Sequence, residues 1–199
     1  MRPFVLAMAA LAVMTVPAHA AWTPAVYPEY GFGIDWPGVT KKSTGTYQAV
    51  VAGKVPTTII STEVDDTIYR VVISDFKDRL EATPGILIEA AFIASTEGEV
   101  LADTMSRTDN GQQYAKYGRR VAVMTKEGAK KVTEVYFVGG KLLSFETVIS
   151  PKGDTGNPEV GRFTDSLRFN LERDWTIPPP LPANREDGPR LLTPVRPGQ

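Results

Sequence analysis

The sequence has 199 residues, no cysteine and a single histidine, His19, with 22 Lys and Arg set against 23 Asp and Glu. Without cysteine there is no disulfide framework, no thiolate ligand and no Cys nucleophile, and one histidine cannot supply a multi-histidine zinc site. The near-neutral charge leaves no excess of basic groups to neutralise phosphates, which removes the main driving force for nucleic-acid binding.

The chain opens as an export signal. Met1-Arg2 is a short positive start, Pro3 to Val16 is apolar apart from Thr15, and Pro17 precedes the small-residue pattern Ala18-His19-Ala20. This is the layout of a secretory signal peptide cleaved after Ala20. The apolar run is shorter than the ~20 residues that a membrane span needs, so no integral span is expected in the mature form. Removing residues 1–20 also removes Arg2 and His19, leaving 21 basic against 23 acidic residues and no imidazole. A Ser-His-Asp triad and a His-ligated haem are then excluded. The expected compartment is a bacterial periplasm, with secretion into the medium as the second choice.

Residues 21–173 read as one α+β domain. Tyr30-Gly-Phe-Gly-Ile-Asp-Trp36 alternates and stops at Pro37-Gly38, the pattern of a strand and a turn. Tyr47–Val51 predicts a second strand, which Gly53 and Pro56 break off, and the β-branched run Thr57–Val64 predicts a third. Asp65-Asp66 makes a tight connection to a fourth strand, Thr67–Ser74, which sets Tyr69, Val71 and Ile73 on one face and Ile68 and Val72 on the other. The period then changes. Thr83-Pro84 reads as a helix start, Leu87, Ala90, Ala91 and Ala94 recur at helical spacing, and Gly98 is a plausible stop. The alanines form a narrow face able to lie close on a sheet.

A four-strand meander follows. Its strands are Glu99–Arg107, Tyr114–Met124, Lys130–Val138 and Lys141–Ile149, turned by Asn110-Gly111, Glu127-Gly128 and Gly139-Gly140. A two-residue Gly139-Gly140 loop sets Val138 opposite Lys141 and Tyr136 opposite Leu143. Val132, Tyr136, Val138, Leu143, Phe145 and Ile149 then share one face, and Val135, Phe137, Leu142 and Val148 the other. Both faces are partly apolar, so cover is expected on both. A short helix over 158–167, with Val160, Phe163 and Leu167, provides some of it. Residues 174–199 hold seven of the sixteen prolines and few bulky side chains, the composition of a disordered tail with local polyproline II character.

The order of these segments carries a resemblance. Tyr30-Gly-Phe-Gly-Ile leads to Pro37-Gly38, and Ile68-Tyr-Arg-Val-Val-Ile-Ser-Asp75 precedes the alanine-rich helix. Gly118-Arg119 leads a strand, and Val135-Tyr-Phe-Val-Gly-Gly-Lys-Leu-Leu143 and Arg162-Phe-Thr-Asp-Ser-Leu-Arg168 follow. From Tyr30 to Asn170 the chain resembles the PsbP-like family, which comprises extrinsic photosystem proteins and exported bacterial domains. The resemblance implies an antiparallel β-sheet covered by helices on both faces, an α/β/α sandwich. It also implies action by docking to larger assemblies, without catalysis. Metal association through histidine, discussed for some photosystem members, is not carried over to a mature chain that lacks histidine.

One stretch stands out as a partner surface. Tyr114, Lys116, Tyr117, Arg119 and Arg120 interleave aromatic and basic side chains on one predicted strand. Tyrosine offers apolar contact with a polar tip, and arginine forks onto carboxylate or phosphate. Alternation places Tyr114, Lys116 and Arg120 on one face and Tyr117 and Arg119 on the other. In the tail, Trp175 and Leu191-Leu192 are the docking candidates. Glu63, Asp65 and Asp66 read as a solvated turn, since no EF-hand loop surrounds them, and Asp75, Lys77, Asp78, Arg79 and Glu81 as a charged loop before the helix. No cofactor is expected. The sequence thus predicts a monomeric periplasmic accessory protein that binds another protein, or alternatively a carrier of a small or lipid-like ligand in a pocket between sheet and helix.

Overall fold

The computed structural model describes residues 22–108, 116–156 and 158–169. The predicted leader with its cleavage point at Ala20, the Asn110-Gly111 turn, Tyr114 and the tail with Trp175 lie outside the described residues.

Among the described residues, nine strands and two α-helices follow one another. β1 (Thr23–Tyr27) and β2 (Phe32–Trp36) form an antiparallel hairpin. β3 (Lys41–Ala49), β4 (Gly53–Val64), β5 (Thr67–Asp75), β6 (Gly98–Thr108), β7 (Lys116–Thr125), β8 (Lys130–Val138) and β9 (Lys141–Ile149) make a seven-stranded sheet in the order β3-β4-β5-β9-β8-β7-β6. Every pairing in it is antiparallel. α1 (Ile86–Ser95) joins β5 to β6, and α2 (Glu159–Asp165) follows β9.

Turn chemistry sets the registers. Asp65 and Asp66 both take positive φ, 49° and 60°, as do Gly139 and Gly140, 58° and 76°. Two consecutive left-handed residues give the mirror-image turn that matches the right-handed twist of the flanking strands. Val138 accordingly pairs with Lys141 and Tyr136 with Leu143, the register that the spacing predicts.

Two local expectations differ. Gly53 and Pro56 do not interrupt the chain; both lie inside β4. Pro56 is tolerated because the β4–β5 ladder begins only at Thr57, so β3 is its one neighbour there. Thr83-Pro84 does not open the helix either. The Thr83 hydroxyl donates back to the Leu80 carbonyl, closing a 3₁₀ turn over Leu80–Ala82, and Gly85 in a left-handed conformation leads into α1.

The expected helical cover on both faces is not what the chain builds. One face carries α1, whose Ile86 and Ala90 pack with Val55, Phe76, Val135 and Leu142, and whose Ala91 and Ala94 meet Val121 and Val123. The opposite face is covered chiefly by the β1–β2 hairpin. Phe32, Ile34 and Trp36 pack there on Tyr69, Val71, Tyr136, Leu143 and Phe145, together with Phe163 and Leu167 from the α2 region. The fold is therefore mostly β, not an α/β/α sandwich. A seven-residue helix is only ~10 Å long, whereas seven strands at about 4.8 Å spacing span roughly 29 Å, so α2 cannot roof the sheet and the hairpin does most of that work.

Candidate functional site

On the hairpin face, near the β6 edge, three strands bring polar residues into register. Thr104, Arg120 and Glu134 stand opposite one another across β6, β7 and β8, and Ser106, Gly118 and Tyr136 form the next row. Gly118 makes the second row possible. A methyl group at that position would lie 2.2 Å from the Val135 carbonyl oxygen and 2.7 Å from the Tyr136 ring, so only glycine lets β8 pair this closely with the ring lying across β7. The Tyr136 hydroxyl thereby reaches Ser106 Oγ at 2.7 Å. Both hydroxyls lie within hydrogen-bond distance of Glu134 Oε2, at 2.8 and 2.9 Å.

These rows floor a cleft of about 290 Å³, which Thr164 and Asp165 of α2 close on one side. Glu134 and Tyr136 are buried. A buried carboxylate needs compensating donors, and the two hydroxyls and the Arg120 guanidinium, 3.6 Å from Glu134 Oε1, provide them. Burial first, and the neighbouring Glu134 charge second, push the Tyr136 hydroxyl well above its ordinary range, so it remains a proton donor to the carboxylate. Arg120 is half exposed and stands at the mouth as the accessible cation. This arrangement is built to hold a polar group, with hydroxyls, one guanidinium and carboxylates facing the same small volume.

The predicted partner residues are partly gathered here. Arg120 lines the cleft. Lys116 shares its face, opposite Thr108, without lining it. Tyr117 and Arg119 project to the other face, as alternation requires. There Tyr117 is exposed beneath the Arg107 guanidinium, 5.9 Å from the ring centre, and Arg119 pairs with Asp103 at 2.5 Å. Sequence reasoning missed Glu134 and Ser106. The available signal was Glu134 itself, a charge between Val132 and Tyr136 on a face otherwise apolar.

A second feature lies on the outer side of α1. Ile88 and Phe92, one helical turn apart, are 70% and 67% exposed. Glu89 Oε1 accepts from the Val50 amide at 3.0 Å and from the Tyr47 hydroxyl at 3.2 Å, so the turn carrying exposed Val50 and Val51 borders the same helix. Elsewhere on this face of the sheet an ion-pair cluster forms. Lys131 Nζ lies 2.6 Å from Glu97 and 3.4 Å from Glu146, and Glu146 also meets Arg70.

Among the described residues no three His, Cys, Asp or Glu side chains converge as a metal-binding group, and no helix is long and apolar enough to cross a membrane. No family model matches the sequence, and no curated protein does. Among solved structures, the fold is similar to that of the cyanobacterial PsbP protein (CyanoP) from Synechocystis sp. PCC 6803. The likeness covers 81% of this chain and 98% of that one, at a TM-score of 0.47 and 14% identity. It concerns the path of the backbone and brings no residue roles with it.

Proposed function

We propose that this chain is an exported, non-catalytic accessory protein that works by docking on another protein. The observation that carries the reading is the outer side of α1. Helices on globular domains ordinarily turn polar residues to solvent, yet this one turns Ile88 and Phe92, one turn apart, outward. Exposed apolar surface on an otherwise packed helix marks interaction sites. In this reading residues 1–20 supply export to the periplasm and the trimmed chain acts there as a monomer.

The test is in-cell photo-crosslinking from Phe92 in the exported chain, followed by affinity capture. A discrete crosslinked partner is expected, and its yield should collapse in an Ile88→Ser variant that melts at the wild-type temperature. Crosslinks scattered over abundant proteins, unchanged by that variant, would remove the basis for docking.

A second reading has its own observation. The cleft lies between the sheet and α2 and is polar, which favours a small hydrophilic ligand over a lipid-like one. Native mass spectrometry of the purified chain should then reveal a bound mass that Glu134→Gln releases.

A further inference from the structure

In the Thr104–Arg120–Glu134 row a cation and an anion stand side by side without closing on one another. Glu134 Oε2 is occupied: the Ser106 and Tyr136 hydroxyls reach it at 2.8 and 2.9 Å. Oε1 differs. Arg120 Nη1 lies 3.6 Å from it, beyond hydrogen-bond distance, and among the described residues neither Oε1 nor the Arg120 guanidinium forms a hydrogen bond. Nor is Oε1 sealed away. The fully buried side-chain polar atoms that lack a partner among the described residues are Trp36 Nε1, Arg119 Nε and Ser150 Oγ. Glu134 Oε1 therefore keeps contact with solvent, and the cleft is where this residue meets it.

The gap has a chemical specification. Polar groups more than about 3.5 Å apart are commonly bridged by a third, and one oxygen at about 2.8 Å from each would span this separation. That atom must accept from the guanidinium and donate to the carboxylate. A hydroxyl does both, whereas a carboxylate only accepts and an ammonium only donates. Charge points the same way. The charged residues lining the cleft, Arg107, Arg120, Glu134 and Asp165, balance, and Arg107 and Asp165 are each engaged in an interaction. A neutral ligand preserves that balance; a charged one would set like charge beside Arg120 or Glu134. Thr104 stands opposite Arg120 on β6, one strand spacing of about 4.8 Å away, and offers a second hydroxyl to a neighbouring group of the same ligand. A volume of about 290 Å³ is at the small end for ligand sites and suits a single ring.

We propose that the cleft binds a neutral polyhydroxyl compound, a sugar or polyol, with one hydroxyl bridging Arg120 and Glu134 Oε1 and an adjacent one at Thr104. The inference rests on the reading that the cleft holds a small hydrophilic ligand, and it names the class of that ligand.

The probes are methyl β-D-glucopyranoside, the anionic glucuronate, glucosamine below neutral pH, and N-methylacetamide, each titrated into the full chain and followed by NMR. The glucoside should shift the Arg120 Nε–Hε signal together with the Gly118 and Ser106 amides and saturate in the millimolar range, and the other three should bind at least about tenfold more weakly. Arg120→Met should weaken the glucoside by about tenfold and Thr104→Val by about threefold. Should Arg120→Met fail to fold, Thr104→Val still decides, because Thr104 is exposed and its hydroxyl bonds to none of the described residues. Undiminished affinity in either folded variant would overturn the proposal. A charged probe or the amide binding more tightly at the same signals would overturn the class and spare the cleft as a ligand site. So would silence from all four probes while native mass spectrometry still finds a mass that Glu134→Gln releases. Silence from the probes and no such mass would end both.

Discussion

The two faces of the central sheet are covered in different ways. The hairpin face is aromatic. Phe145 lies 5.4 Å from Phe32, 6.1 Å from Tyr136 and 6.3 Å from Phe169 by ring centres, and Trp36 and Tyr69 both meet Phe163. The helix face is thinner: α1 approaches on Ile86, Ala90, Ala91 and Ala94 and keeps Ile88 and Phe92 outside. Large rings bury far more apolar surface than methyl groups, so stability is concentrated on one face while the other presents surface. The division lets contact chemistry vary on α1 without touching the core.

Truncation tests the division most directly. Phe145 is fully buried among three other rings, and Phe145→Ala should cost about 3–5 kcal/mol in urea unfolding. A loss below ~1 kcal/mol would show that the aromatic layer is not where stability resides. On the helix face the sensitive change is enlargement. Ala91→Leu, at a buried position facing Val121 and Val123, should cost about 1–3 kcal/mol through overpacking. Gly118→Ala should cost at least as much and adds a local signature. The new methyl would meet the Val135 carbonyl oxygen at 2.2 Å and the Tyr136 ring at 2.7 Å, so the β7–β8 backbone and the ring both shift and the Tyr136 and Ser106 hydroxyls lose their contact, visible as altered Tyr136 ring shifts.

What the sequence disclosed and what it hid follow the same division. β8 and β9 were legible to the residue, because a two-residue glycine loop fixes register and the side chains then alternate by rule. The buried alanine face of α1 was legible from its spacing. β1 was not: Thr23–Tyr27 has three exposed positions, Thr23, Pro24 and Val26, one of them a proline, and it is a strand because β2 pairs with it. Missing β1 also meant missing the hairpin that covers the aromatic face, hence the expectation of helices on both sides. The cleft was half legible. Arg120 could be named, but Glu134 and Ser106 become its neighbours only through pairings of three strands, one of which enters from beyond a turn. Ile88 and Phe92 were readable in principle, being the positions left outside once the alanines are assigned inward.

Each face also holds a tyrosine that strongly resists ionisation, which allows a comparison by pH. Burial, then Glu134, raises Tyr136; burial, then Glu89, raises Tyr47. Both folded values lie above the ordinary 10.0. From pH 10 upward the unfolded chain therefore loses these protons first, and stability falls as pH rises through the folded values. Below pH 10 the contribution is fully present. Unfolding free energy should decline beyond pH 10, and Tyr136→Phe and Tyr47→Phe should each make that decline shallower. A slope unchanged in Tyr136→Phe but reduced in Tyr47→Phe would show that Tyr136 does not contribute to the alkaline weakness.

The smallest expected effect is the sharpest test of the division. Ile88 and Phe92 point away from the core that α1 helps to close, so they lose little when truncated. Substitutions at exposed positions free of caps, charges or cavities usually change stability by no more than ~0.5 kcal/mol. The double variant Ile88→Ser, Phe92→Ser should therefore unfold within about that margin of the wild type, after allowing a few tenths of a kcal/mol for helix propensity. It should also bind fewer molecules of an apolar dye such as ANS in the native state. A loss of several kcal/mol would mean that these side chains are covered by some part of the chain beyond the described residues. α1 would then be a core element on both sides, and the contrast between a stabilising face and a presenting face would fail.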